Sequence, residues 1–146
     1  MEQIDICKMT LLCVDDDPHT RKMIAGFLPT TYPHHDLLVA ANAVDALECI
    51  RKYNPDIFIV GLDMSVLDHT VITQEIKMLG KENHSVGMSK CIDGDSKKKH
   101  HQTGIRFHLE KPVNFLELFT RLDEIMESVL VTKLETARTS IHNPTP

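Results

Sequence analysis

Eight consecutive residues constrain this chain more than any others: Leu11-Leu12-Cys13-Val14-Asp15-Asp16-Asp17-Pro18, an apolar run that stops on three carboxylates and a proline. An apolar run bounded so sharply reads as a buried strand of a parallel sheet, and Pro18 suits the first turn of a following helix. The acids then lie in the strand-to-helix turn, at the carboxyl end of a strand, where open α/β sheets keep their ligand sites. Adjacent carboxylates repel one another unless a cation or a lysine joins them. The positive end of a helix dipole would account for one or two acids at a helix start. A run of three favours an ion site.

The rest of the chain repeats the alternation that this stretch begins. Strands are expected at Thr10 to Val14, Leu37 to Ala40, Ile57 to Val60, Val86 to Ser89 and Phe107 to Leu109. Ile57 to Val60 is the most continuous apolar strand and so the expected centre of the sheet. Helices are expected between them. The first carries Met23, Ile24, Phe27 and Leu28 on one face and ends at Pro29. The second is capped by Asn42 and carries Val44, Leu47 and Ile50, with Ala43 and Ala46 alongside. The third carries Val71, Ile72, Ile76 and Leu79 and closes at Gly80. The last is capped by Asn114 and carries Phe115, Leu118, Leu122, Ile125 and Val129. Strands alternating with helices imply a parallel sheet covered on both faces.

With 146 residues, 42% of them hydrophobic, one domain with a real core is expected. Its bounds read as a lead-in over 1–8, a body over 9–131 and a polar tail over 132–146, without fixed structure beyond Glu135. The formal charge of -5, with no massed basic face, makes nucleic acid an unexpected partner. No apolar run is long enough for a bilayer, and the first residues lack a signal-peptide pattern, so no membrane partner is expected. Cys7, Cys13, Cys49 and Cys91 share no metal-like spacing and read as small core residues of a reducing, intracellular compartment.

Val14-Asp15-Asp16-Asp17-Pro18 resembles the acidic motif of the response-regulator receiver domain of two-component signalling. So does the far end of the chain, with Ser89, Gly104 and Lys111-Pro112 ahead of an amphipathic helix. Met88-Ser89, Asp93-Gly94 and Lys111-Pro112-Val113 look most like the plant receivers. The resemblance runs from about Thr10 to Val131 and implies a flavodoxin-like (βα)5 three-layer sandwich with strand order 2-1-3-4-5. In that family two acids hold Mg2+, a third aspartate accepts a phosphoryl group from a phosphohistidine, and a hydroxyl and a lysine bind the phosphoryl oxygens. The metal and lysine neutralise charge on the transferring group, and clustered carboxylates suit Mg2+. By resemblance Asp15 and Asp16 match the metal acids, Ser89 the switch hydroxyl, and Lys111 the lysine. The Lys111-Pro112 peptide is then expected to be cis, with Lys111 reaching the acids.

The third strand departs from the family. Pro55-Asp56, Ile57 to Val60, Met64 and Asp68 all fall in its register, so Gly61 stands at the acceptor position, and glycine has no carboxylate to phosphorylate. Ser65 and His69 replace the turn residues proline and glycine. Lys90 replaces a small residue of the phosphoryl pocket. His108 holds the aromatic switch position. The Lys97 to His101 stretch lacks the apolar face of the family's fourth helix. Together these describe a pseudo-receiver that has lost its phosphoryl switch and works by contact, not as an enzyme. The resemblance implies a histidine-containing phosphotransfer protein, a histidine kinase or another receiver as partner, in the cytoplasm, the nucleus or both. Weak Mg2+ binding by Asp15, Asp16 and Asp63 is expected.

Two rivals follow from the same acids. Asp63, two residues past Gly61, points to the same side on a straight strand and could serve as a displaced acceptor. The Asp-x-Asp of Asp15 and Asp17 resembles the nucleophile motif of haloacid dehalogenase phosphatases. There Pro18 and His19 stand where Gly or Thr is usual, and no acid pair follows Lys111. The pairs His34-His35 and His100-His101 read as solvated surface rather than metal ligands.

Overall fold

The structure, a computed structural model, describes residues 7–90 and 103–142, with side chains described through residue 139. The described residues form five strands and four α-helices in the order β1 (Thr10–Val14), α1 (Pro18–Thr31), β2 (Asp36–Ala40), α2 (Ala43–Tyr53), β3 (Ile57–Gly61), α3 (Val66–Met78), β4 (Ser85–Ser89), β5 (Phe107–Glu110) and α4 (Phe115–His142). All pairings are parallel and the sheet order is β2-β1-β3-β4-β5. This is the flavodoxin-like order, with the chain reversing direction across the sheet between β1 and β3. The Lys97 to His101 stretch and the His100-His101 pair lie outside the described residues.

Side-chain alternation divides the core into two layers. Leu11, Cys13, Ile57, Ile59, Val86, Met88 and Leu109 face α1 and α4, meeting Ile24, Leu28, Leu118, Leu122, Ile125 and Val129. Leu12, Val14, Phe58 and Val60 face the other way, against Ala43, Ala46, Ile50, Ile72 and Ile76 of α2 and α3. β3 is buried at all five positions, as a central strand must be, and so is β4, whose short apolar stretch is the weakest strand signal in the sequence.

Four expectations change. α1 continues through Pro29 to Thr31. The proline lacks an N–H, yet the Tyr32 N–H donates to the Leu28 carbonyl at 2.8 Å and the Thr31 hydroxyl to the Phe27 carbonyl at 3.1 Å, which keeps the last turn closed. In α2, Val44 is exposed and the buried set is Ala43, Ala46 and Ile50, one helical phase away. Leu79 likewise lies outside the buried face of α3, where Thr73 takes a buried place. The chain past Glu135 is helical to His142. Thr132, Thr136 and Thr139 donate their hydroxyls to carbonyls one turn back, so polar residues are satisfied within the helix itself.

Candidate functional site

The carboxyl ends of β1, β3 and β5 bring the acids and the lysine together. Each of the three aspartates after β1 has a different role. Asp17 caps α1: one oxygen accepts the His19 N–H at 3.0 Å, the other the Thr20 hydroxyl at 2.8 Å. The Thr20 hydroxyl, with the His19 N–H behind it, holds the Asp17 carboxyl below the usual carboxylate range. Asp16 is exposed. Asp15 is fully buried, accepting the Asp17 N–H at 3.0 Å on Oδ1 and lying 2.8 Å from Lys111 Nζ through Oδ2. Both ends of that pair are out of water, with side-chain exposures of 0% and 6%, so it carries a desolvation cost that only close geometry offsets. Arg21 Nη1 donates to the Asp15 carbonyl at 2.9 Å and fixes the start of the turn.

Lys111 follows β5, in a cis peptide with Pro112, and its N–H donates to the Ser89 carbonyl at 2.7 Å. Its ammonium also lies 3.9 Å from Asp63 Oδ2. β3 ends at Gly61, so Asp63 sits in the turn before α3 and not on a continued strand. The same Asp63 oxygen accepts the Lys90 N–H at 2.8 Å, tying this turn to the end of β4. Ser89 is buried at the last position of β4. His108 lies on β5, in register with Gly87.

Gly61 has a second property that its sequence position hides. A Cβ built on it would lie 2.5 Å from Asp15 Cγ, 2.5 Å from Oδ2 and 2.9 Å from Oδ1. The Asp15 carboxylate therefore stands in the space that any side chain at position 61 would enter. Its backbone is not in the left-handed region, so this space, and not conformation, is what glycine supplies. The sequence carries no signal for this contact, since Asp15 and Gly61 look there like independent motif positions.

The resemblance implies Mg2+ at this place, and the described side chains are not arranged to hold one. Asp15 Oδ1 accepts the Asp17 N–H and Oδ2 faces the Lys111 ammonium as its counter-ion, Asp63 is held by Lys90 and Lys111, and Gly61 brings no ligand. No group of three acidic, histidine or cysteine side chains among the described residues is arranged to hold a metal ion. The weak Mg2+ site expected of Asp15, Asp16 and Asp63 is not assembled among the described residues, with Asp16 exposed beside the buried pair. The lysine already supplies the positive charge the acids need.

Beside the Asp15–Lys111 pair, a cavity of about 270 Å³ opens between α1 and the start of α4. Met23, Ile24, Val113 and Phe115 line its apolar part, and His19 and Lys90 are among its polar residues. Phe27, half exposed, packs on Phe115 with ring centroids 4.6 Å apart and planes tilted by 42°, and Leu116, the next residue of α4, is exposed. His35, expected at the solvated surface, instead accepts the Met9 N–H on Nδ1 at 2.9 Å.

Comparison with known proteins agrees with this fold. Residues 11–123 match the family model of the response regulator receiver domain. The sensor histidine kinase RcsC of Salmonella typhi is 30% identical over 125 residues, 86% of this chain and 13% of that protein. The probable C4-dicarboxylate response regulator DctR of Priestia megaterium is 22% identical over 79% of this chain, which spans half of that regulator. The chemotaxis protein CheY of Halobacterium salinarum is 23% identical over 80% of this chain and 95% of its own length. Among solved structures, the signal receiver domain of a DNA binding response regulator from Colwellia psychrerythraea superposes with a TM-score of 0.72. It is 24% identical, over 82% of this chain and 98% of its own, a likeness of fold alone. No helix among the described residues is long and apolar enough to cross a membrane.

Proposed function

The chain belongs to the response regulator receiver family, and from that premise we propose that it is a pseudo-receiver of two-component signalling, acting by protein contact and without phosphoryl transfer at position 61. The observation that carries the reading is the Asp15 carboxylate lying in the space of a side chain at Gly61 while paired with Lys111. A phosphoryl group needs a carboxylate nucleophile at this point, which Gly61 lacks, and the lysine that would neutralise it is already paired with Asp15.

The partner we propose is a histidine-containing phosphotransfer protein, a histidine kinase or another receiver, met in the cytoplasm or nucleus. The open cavity between α1 and α4, with the half-exposed Phe27 packed on its lining residue Phe115, supports docking of an apolar side chain there. Neither nucleic acid nor membrane binding, nor an enzymatic activity, is part of the proposal. Asp15 and Asp17 do not suit a phosphatase pair, because Asp17 caps α1 with both oxygens.

One observation favours a second reading. Asp63 is a third exposed at its side chain and 3.9 Å from Lys111, so a displaced acceptor has a cation within reach. Incubation with Mg2+ and acetyl phosphate, read by intact mass, separates the two. No adduct supports the contact module. A base-labile adduct lost in Asp63→Asn makes Asp63 the acceptor.

A further inference from the structure

We infer that Asp15 has taken over the acceptor's place as a resident counter-ion of Lys111, and that Gly61 is required for this because it is the only residue that leaves the space free. The inference rests on the reading of Gly61 as the vacated acceptor position, and it changes what that vacancy means. The pocket is not an acceptor site with its nucleophile deleted. It is a closed salt bridge in which a carboxylate from β1 crosses to the end of β3 and neutralises a lysine from β5.

Three observations carry it. The Asp15 carboxyl atoms lie 2.5 to 2.9 Å from a Cβ built at position 61, distances that real Cβ atoms do not reach, so the Asp15 conformation and a side chain at 61 exclude each other. Asp15 is fully buried, with Oδ1 held by the Asp17 N–H and Oδ2 by Lys111, so displacing it breaks two charge-assisted contacts. Lys111 has a side-chain exposure of only 6% and its other carboxylate neighbour, Asp63, is at 3.9 Å and already accepts the Lys90 N–H. A divalent cation would have to compete with the buried ammonium for the same Asp15 oxygen. The pocket is thus held in one state by its own side chains, indifferent to Mg2+.

The test is a double-mutant cycle on the full chain, read by thermal unfolding. An alanine in a strand interior is ordinarily no worse than glycine. Here Gly61→Ala should lower the Tm by about 5 °C, and the loss should vanish when Gly61→Ala is made in an Asp15→Ala, Lys111→Met background, where nothing occupies the space. Millimolar Mg2+ should leave the wild-type Tm unchanged. Gly61→Asp should instead gain a Mg2+-dependent rise, because its new carboxylate pairs with Lys111 and turns Asp15 out beside Asp16. An equal Gly61→Ala loss in both backgrounds would overturn the inference, as would a Mg2+-dependent rise in the wild type that disappears in Asp15→Asn. An acetyl phosphate adduct on Asp63 would defeat the contact-module reading and leave this cycle unaffected, so the two failures are distinguishable.

Discussion

Lys133 reaches from the second half of α4 to Asp56, 3.3 Å away at the amino-terminal edge of the sheet, and donates to the Lys8 carbonyl at 3.2 Å. Asp56 in turn accepts the Thr10 N–H at 2.9 Å, so the two contacts join the long helix, the turn before β3 and the start of β1. The lysine is partly exposed, which limits its worth to roughly 0–1 kcal/mol. Lys133→Met should therefore lower stability in urea by no more than that, and high salt should abolish the difference between the two proteins.

A pH response is expected at the same edge. Burial pushes the His84 imidazole below its ordinary value, and the Lys81 ammonium adds to the shift; Asp56 opposes it and Arg106 reinforces it. A histidine that titrates lower when folded favours its neutral form, so stability is full above the unfolded value of about 6.5 and declines as pH falls toward the folded one. His84→Gln should flatten the decline between about pH 7 and pH 5.5, measured as the difference in urea midpoint from wild type. Parallel curves for the two proteins would show that carboxylates alone set the acid limb.

Fold and register were legible because each depends on local patterns that agree with one another. The continuous apolar runs of β1 and β3, the Asn42 cap and the acid run before Pro18 all specify the same parallel α/β order, and the structure has it. Helix ends were less legible. Pro29 reads as a stop, but hydroxyl and backbone contacts carry α1 past it, and threonine hydroxyls do the same for α4. Val44 misled because both Val44 and Ala43 fit a helical period, and the side that is buried is the one Ala43 shares with Ala46 and Ile50. The site was legible as a set of positions and not as a set of contacts. Nothing in the sequence says that Asp15 turns toward Gly61, since that contact joins residues 46 positions apart through the β1–β3 pairing.

The face formed by α1 and the start of α4 gives a prediction about binding. Phe27 packs on Phe115 but remains half exposed, so truncating it removes a contact surface without opening the core. Phe27→Ser should weaken affinity for a phosphotransfer partner by about tenfold or more and shift the Tm little. Val44→Ser, on the opposite layer and also exposed, should leave affinity unchanged. Calorimetric titration of the three proteins decides it, and equal loss in both variants would place the contact elsewhere.

The last prediction concerns Lys111 and its two acids. Removing one member of a buried ion pair leaves the other charge without compensation, at a cost of about 3–5 kcal/mol. Lys111→Met should show that loss in urea unfolding, because Asp15 has no exposure through which water could replace the ammonium. Asp63 is a weaker partner at 3.9 Å and is partly exposed, so Asp63→Asn should cost about 1 kcal/mol or less, and its amide oxygen can still accept the Lys90 N–H. Replacing both members together, as Asp15→Ala with Lys111→Met, should cost less than Lys111→Met alone, since no buried charge then remains. If the double replacement costs as much as the sum of its two single ones, Lys111 and Asp15 act independently and the short distance between them carries no coupling.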